Sequence, residues 1–202
     1  MRTRTRTEVR SSHLRAFRLD DERVALVPEQ AVLLAGDHVT VRVRVDAGER
    51  LRLVEPGGTV AYAMRGLDAR WDVEIEVEPG GALAWDAEPF VVADGADVHR
   101  GLRVEAGGAV SLRETLVLGR SGEGPGRLRT RTDVTRAGVP LLVEELDSGV
   151  GLGGHRVLDQ VLHLGTDCAR DGMRLESGDC LHRWLGGAVH ESRLYSSSPS
   201  PE

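Results

Sequence analysis

One short pattern recurs along this chain and narrows the folds open to it. A valine ends an apolar stretch, an acidic residue or proline and a glycine follow, and a second apolar stretch begins. Val45-Asp46-Ala47-Gly48 leads into Leu51, and Val77-Glu78-Pro79-Gly80 leads into Leu83. Val104-Glu105-Ala106-Gly107 leads into Val110 and Leu112, and Val134 precedes Gly138 and Leu141. The four valines stand 32, 27 and 30 residues apart. Glycine supplies the positive φ that a tight turn between strands demands. A turn of this kind about every 30 residues predicts an all-β, quasi-repetitive scaffold, β-helical or built of stacked hairpins, whose units share one core.

The stretches between the turns read as strands. Val39, Val41, Val43 and Val45 alternate with Thr40, Arg42 and Arg44, while Trp71, Val73, Ile75 and Val77 alternate with Asp72, Glu74 and Glu76. Both have one apolar and one charged face. One charged face is basic and the other acidic, so pairing these strands sets opposite charges across the ladder. Further strands are expected over residues 24–27, 50–54, 82–86, 99–104, 110–118, 128–135, 141–146 and 156–164. The glycine-rich run 148–154 reads as a flexible connector, and at most one or two short helices are expected near the C-terminus, one beginning near Ala188. The Arg/Thr alternation of residues 1–10 has period two and reads as an edge strand or a frayed end. A single domain over residues 1–195 is expected, with 196–202 a disordered Ser/Pro tail.

With aromatics at only 3%, the core must be built from Val, Leu and Ala. Such side chains suit the pleated surface of a sheet. The net charge of −6 is spread along the chain, and its 26 basic residues are all arginine. This excludes the concentrated basic face that nucleic acid or an anionic membrane rewards. No apolar run approaches the roughly 20 residues of a spanning helix. Nothing resembles a cleavable leader, so a cytoplasmic location and free thiols at Cys168 and Cys180 are expected.

Enzyme motifs are scarce. The loop Gly119-Arg120-Ser121-Gly122-Glu123-Gly124-Pro125-Gly126 lacks the Gly-Lys-Ser/Thr ending of a phosphate cradle, and a strand pattern follows it. Arg120 and Glu123 are expected either to meet a partner or to fix one another in a tight corner, with Gly119 and Gly122 shaping the turn. His163, Cys168, Cys180 and His182 are candidate metal ligands, although their spacing matches no standard site. Asp97 and His99 share one strand face and could meet a common ion or each other. No G-x-S-x-G elbow occurs, and no H-x-H pair of the kind a cupin uses to hold a metal.

A longer set of residues resembles a known family. Leu33-Leu34-Ala35-Gly36-Asp37 is followed by the valine strand ending at Val45, then by Ala47-Gly48 and by Trp85-x-x-Glu88-Pro89. His99-Arg100 and Arg113-Glu114 come next, then Leu116-Val117-Leu118-Gly119-Arg120-Ser121-Gly122-Glu123-x-Pro125-Gly126-x-Leu128. Gly138-x-Pro140-Leu141-Leu142 and Glu145-Leu146 close the pattern. In order and separation, residues 24–147 resemble the urease accessory protein family UreD, also called UreH. The resemblance implies a β-helical, non-catalytic scaffold that binds apo-urease, UreF and UreG. It also implies that nickel passes transiently to the urease active site through a polar channel, with no tightly bound cofactor. Within the matching segments Asp37, Glu88, Asp97, His99, Glu114 and Glu123 are the residues expected to line such a channel. Carboxylates with an occasional imidazole would hold the ion loosely enough to release it. Two other readings stay open: a cupin-like metal enzyme using His99 with further imidazoles, and a β-solenoid interaction module outside the urease pathway.

Overall fold

The computed structural model describes residues 8–30, 32–166 and 172–194. Nine strands come before the middle of the chain: β1 (Glu8–Ser11), β2 (Leu14–Arg18), β3 (Arg23–Pro28), β4 (His38–Val45), β5 (Arg50–Val54), β6 (Thr59–Ala61), β7 (Ala69–Val77), β8 (Ala82–Asp86) and β9 (Phe90–Val92). The long strands β10 (Asp97–Ala106), β11 (Ala109–Leu118), β12 (Arg127–Arg136) and β13 (Val139–Asp147) follow. A one-turn helix α1 (Ser148–Gly151) precedes β14 (Val157–Leu164), β15 (Met173–Arg174) and β16 (Cys180–Gly186), and a 3-10 turn covers Val189–Glu191.

These strands form two facing sheets. One runs β1-β4-β7-β10-β12-β13, and the other runs β15-β16-β14-β11-β8-β5-β3-β2. Short strands β6 and β9 pair with each other, and β9 also pairs with β11. Within the body the chain alternates between sheets and every neighbouring pair is parallel: β4 with β7, β7 with β10, and β10 with β12. In the facing sheet β3, β5, β8 and β11 stack the same way. That is a solenoid of flattened coils, unlike the antiparallel double-stranded barrel of a cupin. Antiparallel strands close its ends: β1 and β2 at one, β13, β14 and β16 at the other.

The alternating sequence explains the core. Val39, Val41, Val43 and Val45 are all buried and meet Trp71, Val73, Ile75 and Val77 residue for residue in the parallel register. Trp71 packs edge-on against Phe90 of the other sheet at 5.4 Å. On the outer face the expected charge pairing is present. Arg42 Nε donates to Glu74 at 2.6 Å, and Arg44 lies 3.6 Å from Glu76. Arg42, Glu74, Arg103 and Asp133 stand side by side on β4, β7, β10 and β12.

The recurring turns serve two purposes. At Asp46–Gly48, Glu78–Gly80 and Gly107 the chain crosses from one sheet to the other, so these are solenoid corners rather than hairpins. Only the fourth, at Ala137 and Gly138, folds β12 back onto β13 as a hairpin. Val77 lies opposite Ala106 rather than Val104, because the third corner is two residues shorter than the second. The loop at Gly119–Gly126 is an addition to its coil. Val92 pairs with Leu118 and Asp97 with Arg127, so nine residues make a step that takes five in the coil before.

Three other expectations need correction or qualification. The glycine-rich run after Asp147 begins as helix α1, because Asp147 Oδ1 accepts from Gly149 N at 2.9 Å and caps it. Cys180 is disulfide-bonded rather than a free thiol, and Cys168 lies outside the described residues. The edge strand expected at the start is β1, although residues 1–7, like the tail 196–202, lie outside the described residues. The short helical turn expected near Ala188 is present, with Ala188 at its cap.

Candidate functional site

Strand parity puts charge inside this solenoid. On β10 the inward side chains are Val98, Arg100, Leu102 and Val104, and on β11 they are Val110, Leu112, Glu114 and Leu116. Arg100 and Glu114 therefore face one another between the sheets and form an ion pair there. A bare charge in this setting would be expensive, and the arrangement supplies partners. Gln160 Nε2 donates to the second carboxylate oxygen of Glu114 at 2.9 Å. Gln160 Oε1 accepts from Arg183 Nε at 3.1 Å, and Arg183 forms a two-point pair with Glu144 at 2.8 and 2.6 Å. The result is a polar thread from the centre of the interior to the open edge at β13.

The thread continues on the other side of Arg100. Its guanidinium lies over the Phe90 ring at 5.2 Å and its charge reaches Glu55. Glu55 Oε1 accepts from the Trp85 indole N–H at 2.8 Å. Packing around the Glu55 carboxyl pushes it up to about 7, against the opposing pull of the Trp85 hydrogen bond, of Arg100 and of a hydrogen bond from the Glu88 main chain, which outweighs the rise due to the Glu88 charge. Both Glu55 and Glu88 keep part of their surface exposed. Among the residues expected to line a channel, Glu114 lies inside this thread and Glu88 lies beside Glu55.

The other four lie elsewhere. Asp37 Oδ2 accepts from Leu34 N at 2.7 Å and closes the turn before β4. Glu123 closes the added loop: Arg120 Nε donates to it at 2.9 Å and the Arg120 main-chain N–H at 3.3 Å. The Arg120 guanidinium holds the Glu123 carboxyl down at about 2. Arg120 and Glu123 thus fix one another in a corner, as the first of these contacts shows. Gly119 and Gly122 both have positive φ, and a Cβ on Gly119 would strike the Gly124 carbonyl oxygen. Arg156 braces the loop from below, donating to Leu118 O at 2.9 Å and Arg120 O at 3.0 Å.

Asp97 and His99 share the outer face of β10 but take separate partners. Asp97 accepts from Arg129 at 2.9 Å, and His99 lies 3.3 Å from Asp68. His99, with the Arg129 that Asp97 holds, lines an open groove of about 620 Å3 over Gly101, where β10 carries no side chain. The groove holds mixed charge, including Arg103, Arg131, Asp133 and Glu145.

Of the candidate metal ligands, His163, Cys180 and His182 come together on the outer face of β14 and β16. His163 lies opposite Cys180 in the ladder, and the two imidazoles stand edge to face at 5.7 Å. Burial first, and His182 second, lower the His163 pKa. Among the described residues no group of three His, Cys, Asp or Glu side chains is arranged to hold a metal ion. None of the described helices is long and apolar enough to cross a membrane.

Sequence reasoning missed Glu55, Arg100, Gln160 and the Arg113–Asp159 pair. Asp159 is fully buried, and it accepts from Arg113 Nη2 at 2.8 Å and Thr115 Oγ1 at 2.9 Å and also binds Ser192. This second charged cluster lies on the outer side of the sheet and pins the C-terminal segment over it. Parity with Val98 and Leu102 was the available signal for Arg100.

The polar thread, the solenoid and the added loop can be set beside known proteins. A family model described as UreD urease accessory protein matches residues 4–189. The chain is 50% identical to urease accessory protein UreD 1 of Streptomyces griseus over 158 residues, which cover 73% of this chain and 62% of that protein. It is 36% identical over 167 residues to urease accessory protein UreD of Streptomyces avermitilis, covering 76% of this chain and 66% of the relative. Against urease accessory protein UreD 1 of Saccharopolyspora erythraea it is 45% identical over 129 residues, 62% of this chain and 51% of the relative. The match thus spans between half and two thirds of these relatives' length. On this agreement of sequence along almost its whole length, the chain belongs to the UreD family of urease accessory proteins.

Proposed function

We propose that this protein is a non-catalytic scaffold of urease maturation in the cytoplasm, which binds apo-urease together with UreF and UreG and carries nickel between them as transient cargo. The observation that carries the reading is the polar thread Arg100–Glu114–Gln160–Arg183–Glu144, with Glu55 within reach of the Arg100 charge, through an interior that is otherwise mostly apolar. A scaffold that served only as a spacer would gain nothing from burying charge, since buried ion pairs seldom add stability over a well-packed apolar core. Carboxylates and an amide are hard oxygen donors that bind Ni2+ weakly, which suits a cargo to be handed on. In this reading Glu114 and Glu88, with Glu55, meet the ion. Asp37 and Glu123 shape loops, and Asp97 and His99 belong to an outer surface. The corner carrying the Arg120 loop also exposes Leu34, Tyr62 and Leu67, which fits it for partner contact.

The test is co-expression with UreF, UreG and urease, followed by affinity capture, nickel analysis and urease assay. A defined complex is expected for the wild type and for Glu114→Gln, which keeps the shape, removes the charge and leaves an acceptor for one of the two donors, Arg100 or Gln160. Urease nickel content should fall severalfold with Glu114→Gln combined with Glu88→Gln. Failure of the wild type to co-elute would overturn the scaffold reading. Full nickel loading by the double variant would overturn the route through the thread.

A further inference from the structure

The cluster on the outer face of β14 and β16 plays no part in that reading. Cys180 Sγ lies 3.4 Å from His182 Nε2. A thiolate and an imidazole bound to one tetrahedral zinc-class ion stand about 3.5 Å apart, given metal–sulfur and metal–nitrogen bonds of about 2.3 and 2.0 Å. Two imidazoles on the same ion place their ring centres about 5 Å apart by the same geometry, and His163 and His182 are at 5.7 Å. Gly172 packs directly against this pair, since a Cβ there would be pressed against Cys180 Sγ and 2.8 Å from His182 Nε2. What prevents coordination is the bond that the sulfur already makes, since Cys180 is disulfide-bonded.

We propose that Cys180, His182 and His163 form a thiol-gated site for a borderline-soft divalent cation of the zinc class, closed while the disulfide stands and opened by its reduction. A dithiol reductant supplies both electrons. One of its sulfurs attacks the disulfide, its second sulfur resolves the mixed disulfide, and the reductant leaves oxidised. Its two thiol protons end on the two released cysteine sulfurs. The cation then displaces the Cys180 proton to solvent and takes one sulfur and two imidazole nitrogens, with the fourth position left to water or an incoming ligand. Three protein donors and an open position suit an ion held in exchangeable form.

The experiment uses the full chain, oxidised or reduced with a phosphine that adds no competing thiol, with thiol titration to establish the state. Zn2+ affinity is read by competition with a chromophoric chelator, and Co2+ serves as a spectroscopic probe. The reduced chain should bind one equivalent of Zn2+, at least about tenfold more tightly than the oxidised chain, and its Co2+ form should show thiolate charge-transfer absorption. Cys180→Ser and His182→Gln should each lose that advantage. Equal zinc affinity in both redox states would overturn the proposal. So would binding by the reduced chain that survives His182→Gln, or a Co2+ spectrum without the sulfur band. If Cys180→Ser does not fold, the double variant His163→Gln, His182→Gln leaves both cysteines in place and carries the same test.

Discussion

At the scale of single residues, Glu55 holds the largest consequence for a carboxylate on the thread. Its folded-state value of about 7 stands above the 4.5 of an ordinary glutamate. Between those values the native protein keeps a proton that the unfolded chain releases. This contribution is therefore fully present below about pH 4.5 and is lost as pH rises through about 7. Glu55→Gln mimics the protonated group and keeps an acceptor for Trp85. It should flatten the pH dependence of stability across that window and leave the variant about 1–2 kcal/mol more stable at pH 8, a figure reduced for the exposed part of the side chain. Chemical denaturation at pH 5 and pH 8 measures both. Nothing in the sequence announced this residue, because Glu55-Pro56-Gly57-Gly58 has the composition of a solvated turn. Glu114, in contrast, lay in a segment that already carried the family pattern, and its even-numbered position beside Leu112 and Leu116 directed it inward.

At the scale of elements, the corners govern the stack. Gly81 and Gly108 lie one above the other, and a Cβ on Gly108 would strike Gly81 O and approach Glu78 O at 2.6 Å. Both contacts are backbone and cannot swing aside. Gly108→Ala should cost about 1–3 kcal/mol by thermal or denaturant melting, as overpacked sites do. Gly48→Ala, where nothing lies within 4 Å, should cost less and only through its positive φ. The buried pair of Arg113 with Asp159 fastens β11 to β14 and to the C-terminal segment through Ser192. Asp159→Ala takes away the buried carboxylate that Arg113, Thr115 and Ser192 share and should cost about 3–5 kcal/mol, even though Arg113 also lies 3.6 Å from Asp86. It should also speed hydrogen exchange at Ser192 and Leu194, whose placement that carboxylate supports. The long strands were legible because their alternation runs for eight to ten residues. Strands β6 and β9 were not, since three residues carry no period. Helix α1 was missed because glycine signals a loop, and only the Asp147 cap turns those glycines into a helix. The disulfide at Cys180 leaves no trace in cysteine spacing.

At the scale of the whole molecule, two sheets with closed antiparallel ends follow from the recurrence of the corners, which the sequence displays openly. Where the coils change length is hidden from it, because the short third corner and the long Arg120 loop alter spacing in opposite directions and keep the average near 30 residues. The outer face of the six-stranded sheet has a kinetic consequence. Arg42, Glu74, Arg103 and Asp133 alternate in sign from strand to strand, so the pattern repeats about every 9.6 Å at ordinary strand spacing. Fields from so fine an alternation cancel within a layer or two of water, well inside the Debye length of about 8 Å at physiological salt. A partner approaching that row from a distance feels almost none of its charge until it arrives, unlike the row His38, Arg70, His99 and Arg129 on the same face, where no sign alternates. Association centred on the alternating row should therefore proceed at the unsteered rate of about 10⁵–10⁶ M⁻¹s⁻¹ and change little between 50 and 500 mM salt in stopped-flow measurements, roughly by less than threefold. A steep fall with salt would place the meeting surface elsewhere on the molecule.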